Sequence, residues 1–525
     1  MPREIVTIQS GHSANYVGTH YWNAISQYYN QNLSSDFDDS VLYRLGEANN
    51  ETTYTPRLVI VDRKGSLGTL KKYGDLYPTT QSNPADMWDG KVDKFEAELI
   101  PKNNFLKGLD DSNVDRARIN SEDIQTWSDF NGIYYHPNTI FELKSYLHED
   151  TTNQFNYFTQ GKNTYADLDF LNELMDDKVR KFLEECDSCQ GFQIFATTDD
   201  GFSGLTSSMI EYIREEYDKK SILVFGINES SSYLETSMVN HRVQQVNQSL
   251  FLHSMRECEA LYVPLHIPNT KDLDNTAWSL MLKSNFSSMY ERTALVAAGI
   301  ESLTLPLRLK ESSNRLDMRD LHTLAFSTRY SNVSSLAMGV PHMSESEEYN
   351  LSSKSNDLNL GWIRDLTLEC KFPDITEEQQ AWSMFRGFED AISHQNVELS
   401  DIHRVNQDWK DYINSAFPTN ANSKNLTFST PFLMSPSFPQ FFKSNINQYG
   451  LISQKECEGV VQSFPFMVNL HNGHSLNTLF KKMLSNISFH QSETTLKNDY
   501  QQGTFGIDSS EWDEMKEYFV SLVEE

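Results

Sequence analysis

Basic residues are scarce in this chain: 44 Lys and Arg stand against 73 Asp and Glu, giving a formal charge of -29 over 525 residues and a pI near 4.8. So acidic a surface repels phosphate backbones and anionic lipid, and no basic patch interrupts it. Direct binding to nucleic acid or to a membrane surface is therefore not expected. Long apolar runs are missing too: mean hydropathy is -0.54, and nothing reaches the ~18 apolar residues of a membrane-crossing helix. A strand-like stretch, Glu4 to Gln9, follows the first Met almost at once. That leaves no room for a signal peptide or an Arg-rich presequence, so import by a cleaved peptide is not expected.

Cysteine is equally sparse. Five residues, Cys186, Cys189, Cys258, Cys370 and Cys457, are an odd number and widely spread, which argues for a reducing compartment and against a disulfide framework. Cys186 and Cys189 form a C-x-x-C, but no second pair or spaced histidines complete a zinc site. The pair also ends a predicted helix and leads into a strand, whereas redox pairs open helices. Core packing is the expected role. His136 precedes Pro137 and reads as a surface turn. His471 and His474 precede a predicted helix Ser475–Asn486, with Ser475 as its N-cap. The motifs G-x-S-x-G, H-E-x-x-H and GxxxxGK[ST] are all absent. No catalytic and no metal-ligating residue is expected.

What is present is a βαβ rhythm. From Cys186 to Ile227 a buried-strand pattern (Gly191–Ala196) gives way to a turn-rich loop (Asp199–Gly204). A helix follows with Leu205, Met209, Ile213 and Tyr217 on one face, then a second strand from Ser221 to Ile227. Such a unit specifies a parallel sheet, and a loop entering a helix below that sheet can hold a phosphate on unpaired N–H groups. Residues 1–30 repeat the logic. Ile5, Val6 and Ile8 predict a strand, Gly11 to Gly18 a loop, and Val17 to Tyr29 an aromatic-rich helix; Leu58–Asp62 predicts a further strand.

Here the sequence becomes specific. Arg3-Glu4-Ile5-Val6, the stretch GHSANYVG and the pair Tyr21-Trp22 resemble the start of a tubulin. The match is closer to the Misato family of tubulin-like proteins, whose pattern G-H-x-x-N-[YF]-V-G-T-H-[YW]-W-N is met by Gly11, His12, Asn15, Tyr16, Val17, Gly18, Thr19, His20, Trp22 and Asn23. Trp127-Ser128-Asp129-Phe130 and Tyr134-Tyr135-His136-Pro137 resemble a further Misato-type segment without a tubulin counterpart. The tubulin-like resemblance covers roughly 1–30, 55–70 and 150–330. It implies an α/β fold with a Rossmann-like parallel-sheet nucleotide domain over 1–270, including an insertion at about 70–125, and a long core helix at 271–303. Beyond these it implies a second α/β domain over 304–416, a linker or long loop at 417–442 and a C-terminal helical region over 443–525. Within these, a Ser/Glu-rich loop is expected at Met343–Leu358 and a helix at Glu377–His394. Ser510-x-x-Asp513 reads as the capping box of a last helix whose Trp512, Met515, Phe519 and Leu522 dock on the body.

The resemblance also carries a site. If a nucleotide such as GTP binds, its contacts fall on Gly11, His12, Asn15, Asp62, Asn156, Gly161, Asp200, Gly201, Ser203 and Gly204. The chain departs from tubulins at several of these places. Lys64 stands where the strand-end motif has Glu, the loop around Phe155-Asn156-Tyr157 lacks its Ala-Gly, and TDDGFSG replaces GGGTGSG. Two carboxylates, Asp199 and Asp200, and the ring of Phe202 stand where a loop would wrap phosphate. Asp200 or Ser203 is either the N-cap of a helix starting near Gly204 or part of an altered, cation-assisted ligand site. Asp62 has a plainer reading as a strand-end turn residue. Tyr290 and Asn285 lie near the place of the base contacts. Asn314, Asp317 and Asp320 in LKESSNRLDMRDL echo the catalytic-acid loop of polymerising tubulins, with one residue extra and no Gly.

By this resemblance the expected role is that of a non-catalytic tubulin-like protein in the partitioning of mitochondria and the inheritance of mitochondrial DNA. It would act at the mitochondrion and in the cytoplasm through protein partners such as tubulin or the cytosolic chaperonin, with no resident cofactor. The alternatives are a GTP-binding or GTP-hydrolysing switch or filament protein, and a cofactor of tubulin folding.

Overall fold

The computed structural model describes residues 3–30, 36–48, 51–72, 100–110, 119–229, 238–269, 278–283, 288–310, 314–326, 332–340, 363–367, 380–393, 423–453, 455–457, 459–492 and 504–524, with a few isolated positions between them. Its largest sheet is parallel throughout. Strands β1 (Ile5–Ser10), β2 (Leu58–Lys64), β3 (Ile140–Leu147), β4 (Gly191–Thr197), β5 (Ser221–Glu229) and β6 (Leu261–Ile267) lie in the order β3-β2-β1-β4-β5-β6. Strands β1, β4 and β6 are buried along their length, as the continuous apolar runs of a sheet covered on both faces require. Side chains alternate between two core layers. Ile5, Phe195 and Phe225 meet helices α1 (His12–Asn30) and α5 (Met289–Thr304). Val6, Ile194 and Val224 meet the layer of α2 (Phe158–Tyr165), α3 (Gly201–Glu216) and α4 (Met238–Glu257). This is the α/β, tubulin-like architecture the sequence predicts.

A second, mixed sheet has the order β8-β7-β11-β9-β10, from β7 (Ser335–Gly339), β8 (Ile363–Asp365), β9 (Gln380–Arg386), β10 (Lys424–Phe428) and β11 (Phe466–Asn472). Here several expectations fail for one reason: strand pairing over long sequence distance overrides local pattern. The helix expected at Glu377–His394 is instead the strand β9, paired with β10 and β11, and among the described residues of that stretch only Phe388–Ser393 is helical. The linker expected at 417–442 contributes β10 and buries Phe432, Phe438 and Phe441. The helical region expected over 443–525 supplies β11, which lies between β7 and β9 in this sheet, so His471 is a buried strand residue and not part of a loop before the helix. The core helix is shorter than 271–303. It starts at Met289, capped by the Ser288 hydroxyl on the Glu291 amide, while Trp278–Met281 forms a separate turn. The Met343–Leu358 loop and most of the 70–125 insertion lie outside the described residues.

Two helices close the chain, α7 (Leu476–Ser492) and α8 (Ser509–Glu524), and their Phe480, Trp512, Met515 and Phe519 complete the layer of α3 and α4. The start of α8 is capped two residues earlier than expected: Asp508 accepts from the amides of Ser510 and Glu511, and Glu511 accepts from the Asp508 amide. His474, not Ser475, makes the side-chain contact at the start of α7, with Asn477. A buried ionic network ties helices α1 and α5 to the second sheet. Glu301 of α5 pairs with Arg308 and with Arg386 of β9, and Arg386 also donates to the Tyr28 hydroxyl of α1 and the Pro431 carbonyl. Among the described residues no helix is long and apolar enough to cross a membrane.

Candidate functional site

Gly11 leaves β1 with φ +100, a left-handed backbone that L side chains rarely adopt. A Cβ there would lie 2.5 Å from Thr197 Oγ1 and 3.0 Å from the Phe202 ring. Helix α1 begins one residue later, so GHSANYVG is a single turn residue followed by two helical turns, not a loop. This delivers Asn15 to β2, where its Nδ2 donates to Asp62 Oδ2 at 2.9 Å. Asp62 is 1% exposed and lies within β2 rather than at a strand-end turn. It also accepts from Trp127 Nε1 at 3.0 Å and from the Arg63 amide at 2.8 Å, with His12 Nδ1 at 3.7 Å. Burial alone would raise its pKa, but His12, Asn15 and the Arg63 amide outweigh that and hold it at about 2. The His12 ring lies 4.4 Å from that of His148, whose pKa burial, helped by His12 and Arg63, lowers to about 4.

The second glycine loop converges on the same place. Asp200 is the N-cap of α3 and accepts from the Phe202 amide at 2.9 Å, while the Ser203 hydroxyl donates to the Asp200 carbonyl. Of the two readings of TDDGFSG the cap is the one seen, with the helix starting at Gly201. Asp199 accepts from the Glu229 amide at the end of β5. Burial raises both carboxyls, Asp200 to about 7, and the neighbouring Asp200 charge adds to the shift at Asp199. The Phe202 ring is fully buried and meets Phe155 edge-on at 5.1 Å.

The remaining glycines sit where helices cross. A Cβ on Gly161 would lie 2.0 Å from the Gly201 carbonyl, and one on Gly204 1.8 Å from the Phe158 carbonyl. Backbone of α2 therefore rests directly on backbone of α3, which explains these glycines without a ligand. The Asn156 side chain turns outward to Gln154, and its carbonyl accepts from Asn247. Asn247 was not singled out from sequence, yet it is a hub. It donates to the Asp199 carbonyl and accepts from the Phe158 amide and the Tyr500 hydroxyl. The readable signal was an Asn amid the apolar Val243, Val246 and Leu250 of α4.

Trp127–Phe130 forms a short turn whose Asp129 accepts from the amides of Gln125 and Thr126. It lies across α1. Phe130 stacks on His20 at 4.4 Å, Tyr16 donates to the Gln125 carbonyl, and Asn23 both donates to the Phe130 carbonyl and accepts from the Gly132 amide. Burial lowers His20 to about 3, so the imidazole is neutral and its Nε2–H donates to the Tyr290 carbonyl at 2.8 Å. The two stretches that resemble the Misato family are thus one contact, with Trp127 completing the shell of Asp62. Tyr290 is buried and donates to the Ser437 carbonyl; Asn285 lies outside the described residues. Asn314 donates to the Thr427 carbonyl and Asp317 pairs with Arg3. Asp320 caps α6 (Met318–Phe326) by accepting from the Asp317 amide.

The arrangement gathers Gly11, His12, Asn15, Asp62 and Asp200 around one polar centre, with Ser203 bonded to the Asp200 carbonyl; it leaves Gly161, Gly201 and Gly204 to the α2–α3 crossing and turns Asn156 outward. Among the described residues no group of three or more His, Cys, Asp or Glu is placed to hold a metal. Cys186 and Cys189 are free thiols packed at the margin of the helical layer.

Residues 3–111 match the model of the Misato Segment II tubulin-like domain, and residues 116–309 that of the tubulin domain. The chain is 35% identical over 321 residues to protein dml1 of Aspergillus clavatus, covering 58% of this chain and 60% of that one. It is 30% identical over 353 residues to protein dml-1 of Neurospora crassa, covering 66% and 64%. The alignment with mouse protein misato homolog 1 is 27% identical over 547 residues and covers 93% and 92%. The match to the Aspergillus relative thus spans only 60% of that relative's length. With a parallel six-stranded sheet, a buried core helix and both matched domains in place, the chain carries a tubulin domain beside a Misato Segment II tubulin-like domain and is similar to Misato-family proteins of fungi and mouse.

Proposed function

We propose that this chain is a non-catalytic tubulin-like protein that acts through protein partners in the partitioning of mitochondria and the inheritance of mitochondrial DNA, at the mitochondrial periphery and in the cytoplasm. One observation supports the non-catalytic part: the Asp62 and Asp200 carboxylates of the polar centre are already engaged by the chain itself. Asp62 already holds Asn15, Trp127 and the Arg63 amide, Asp200 holds the start of α3, and Phe202 fills the space beside Gly11. A triphosphate brought here would meet the ionised carboxylate of Asp62 and, as pH rises past about 7, that of Asp200. Each such pair at 4 Å costs ~1 kcal/mol in water and ~4 kcal/mol at the effective dielectric of a protein surface. The organelle role rests on the similarity to Misato-family proteins, and a charge of -29 favours an indirect effect on mitochondrial DNA.

A switch reading draws on the convergence of Gly11, Asn15 and Asp62, with His12 and Arg63 close by. A third reading, a cofactor of tubulin folding with the cytosolic chaperonin, draws on the tubulin-like sheet alone. Depletion of the chain in its own cells separates them. Mitochondria are expected to lose their even distribution and their DNA, and Asp320→Asn, which keeps the cap of α6, is expected to rescue fully. Normal mitochondria beside disordered microtubules would favour the folding cofactor, and a folded Asp320→Asn protein that fails to rescue would favour the switch.

A further inference from the structure

Away from the polar centre, a cavity of about 790 Å³ opens between β3 and the helical segment that starts with α2. That is within the size range of sites that bury a ligand or an anchoring side-chain group. Its floor is apolar and aromatic, formed by Phe141, Leu143, Tyr146 and Phe170. Its rim is acidic: Asp167, Asp169, Glu173 and Asp499 line it against a single ammonium, Lys144, which Glu173 already engages at 2.6 Å. Leu168, between two of the rim acids, is 73% exposed. β3 is the outer strand of its sheet, paired with β2 on one side and with no described strand on the other; of its carbonyls, that of Ser145 accepts from Asn153 Nδ2.

An open strand edge, an aromatic floor and a rim of one charge sign describe a recognition groove for an extended chain. We propose that this groove receives an extended, Lys- or Arg-bearing segment of a partner protein, laid along the outer edge of β3. Backbone groups of the segment pair with the edge and its apolar side chains cover the floor. Its cations meet the rim and the faces of Tyr146 and Phe170, where desolvated cation–π contacts add to the ion pairs. This holds whether or not anything binds at Asp62.

The test uses the full chain and a fluorescein-labelled peptide of alternating Lys and Val, with a Glu/Val peptide as counterpart, read by anisotropy at 0.15 M salt. Because any cation is drawn to so acidic a protein, two variants remove three charges each. Asp167→Asn/Asp169→Asn/Glu173→Gln strips the rim, and Asp513→Asn/Glu514→Gln/Glu517→Gln strips an exposed face of α8. The expected result is binding of the Lys peptide alone, weakened about tenfold by the rim variant and less than about twofold by the α8 variant. Phe170→Ala is expected to weaken it with all charges in place. Equal loss in the two charge variants, or no binding of the Lys peptide to the parent, would overturn the proposal.

Discussion

At the scale of single residues, Asp200 shows how capping and burial compete. Its carboxylate caps α3, while burial and the charge of Asp62 push its pKa up to about 7 against the pull of Arg63 and the Phe202 amide. A folded-state pKa above the unfolded value of 3.8 means that its contribution to stability is fully present below 3.8 and is lost as pH rises toward 7. Asp62 runs the other way: held at about 2, it contributes above 3.8 and loses that contribution as pH falls toward 2. Asp200→Asn keeps a capping oxygen and removes the charge, so it is expected to stabilise the protein by about 1–2 kcal/mol at pH 8, with the gain shrinking toward zero at pH 4. Urea midpoints at the two pH values check this; a gain independent of pH would contradict it. The cap was legible in TDDGFSG, because an Asp before a Gly-initiated apolar repeat is a start signal. The reach of Asn15 and Trp127 to Asp62 was not, since nothing local in the sequence pairs residues from three separate stretches.

At the scale of elements, legibility follows contact distance. Strands β1, β2, β4 and β5 stand out because each is a short apolar run between turn residues, and α3 because its apolar positions repeat at helical spacing; β3 does not, because IFELKSYL mixes charged residues with apolar ones and is half exposed. β9, β10 and β11 were missed because their register is set by each other across the chain. AWSMF reads equally as one face of a helix, and the Phe- and Pro-rich stretch before β11 reads as a loop until Arg386 and the second core gather it in. The Glu301–Arg308–Arg386 network belongs to this scale, since it joins α1, α5 and the second sheet. Glu301→Gln removes the carboxylate that both buried guanidinium groups engage and is expected to destabilise the fold by about 3–5 kcal/mol. Glu301→Leu combined with Arg308→Met and Arg386→Met is expected to lose less, because no buried charge is then stranded. Denaturant titration decides it: a single-variant loss below about 0.5 kcal/mol, the range of an exposed substitution, would show that the network is not a structural bolt.

At the scale of the whole molecule, the tubulin-like scaffold survives while its polar centre is turned inward. The Trp127–Phe130 turn lies across α1, α2 and α3 meet backbone to backbone at Gly161 and Gly204, and the C-terminal helices seal the layer behind them. On the proposed function, activity rests on surfaces, and the acidic groove beside β3 is one of them. The measurement that bears most directly on this account is calorimetric titration of the full chain with GTP, with and without magnesium, alongside the paired variant Asp199→Gly/Asp200→Gly. The account predicts no saturable heat from the parent at about 100 μM nucleotide and some recovered binding by the variant. Micromolar, magnesium-dependent binding by the parent would contradict it and make Asp199 and Asp200 part of a cation site.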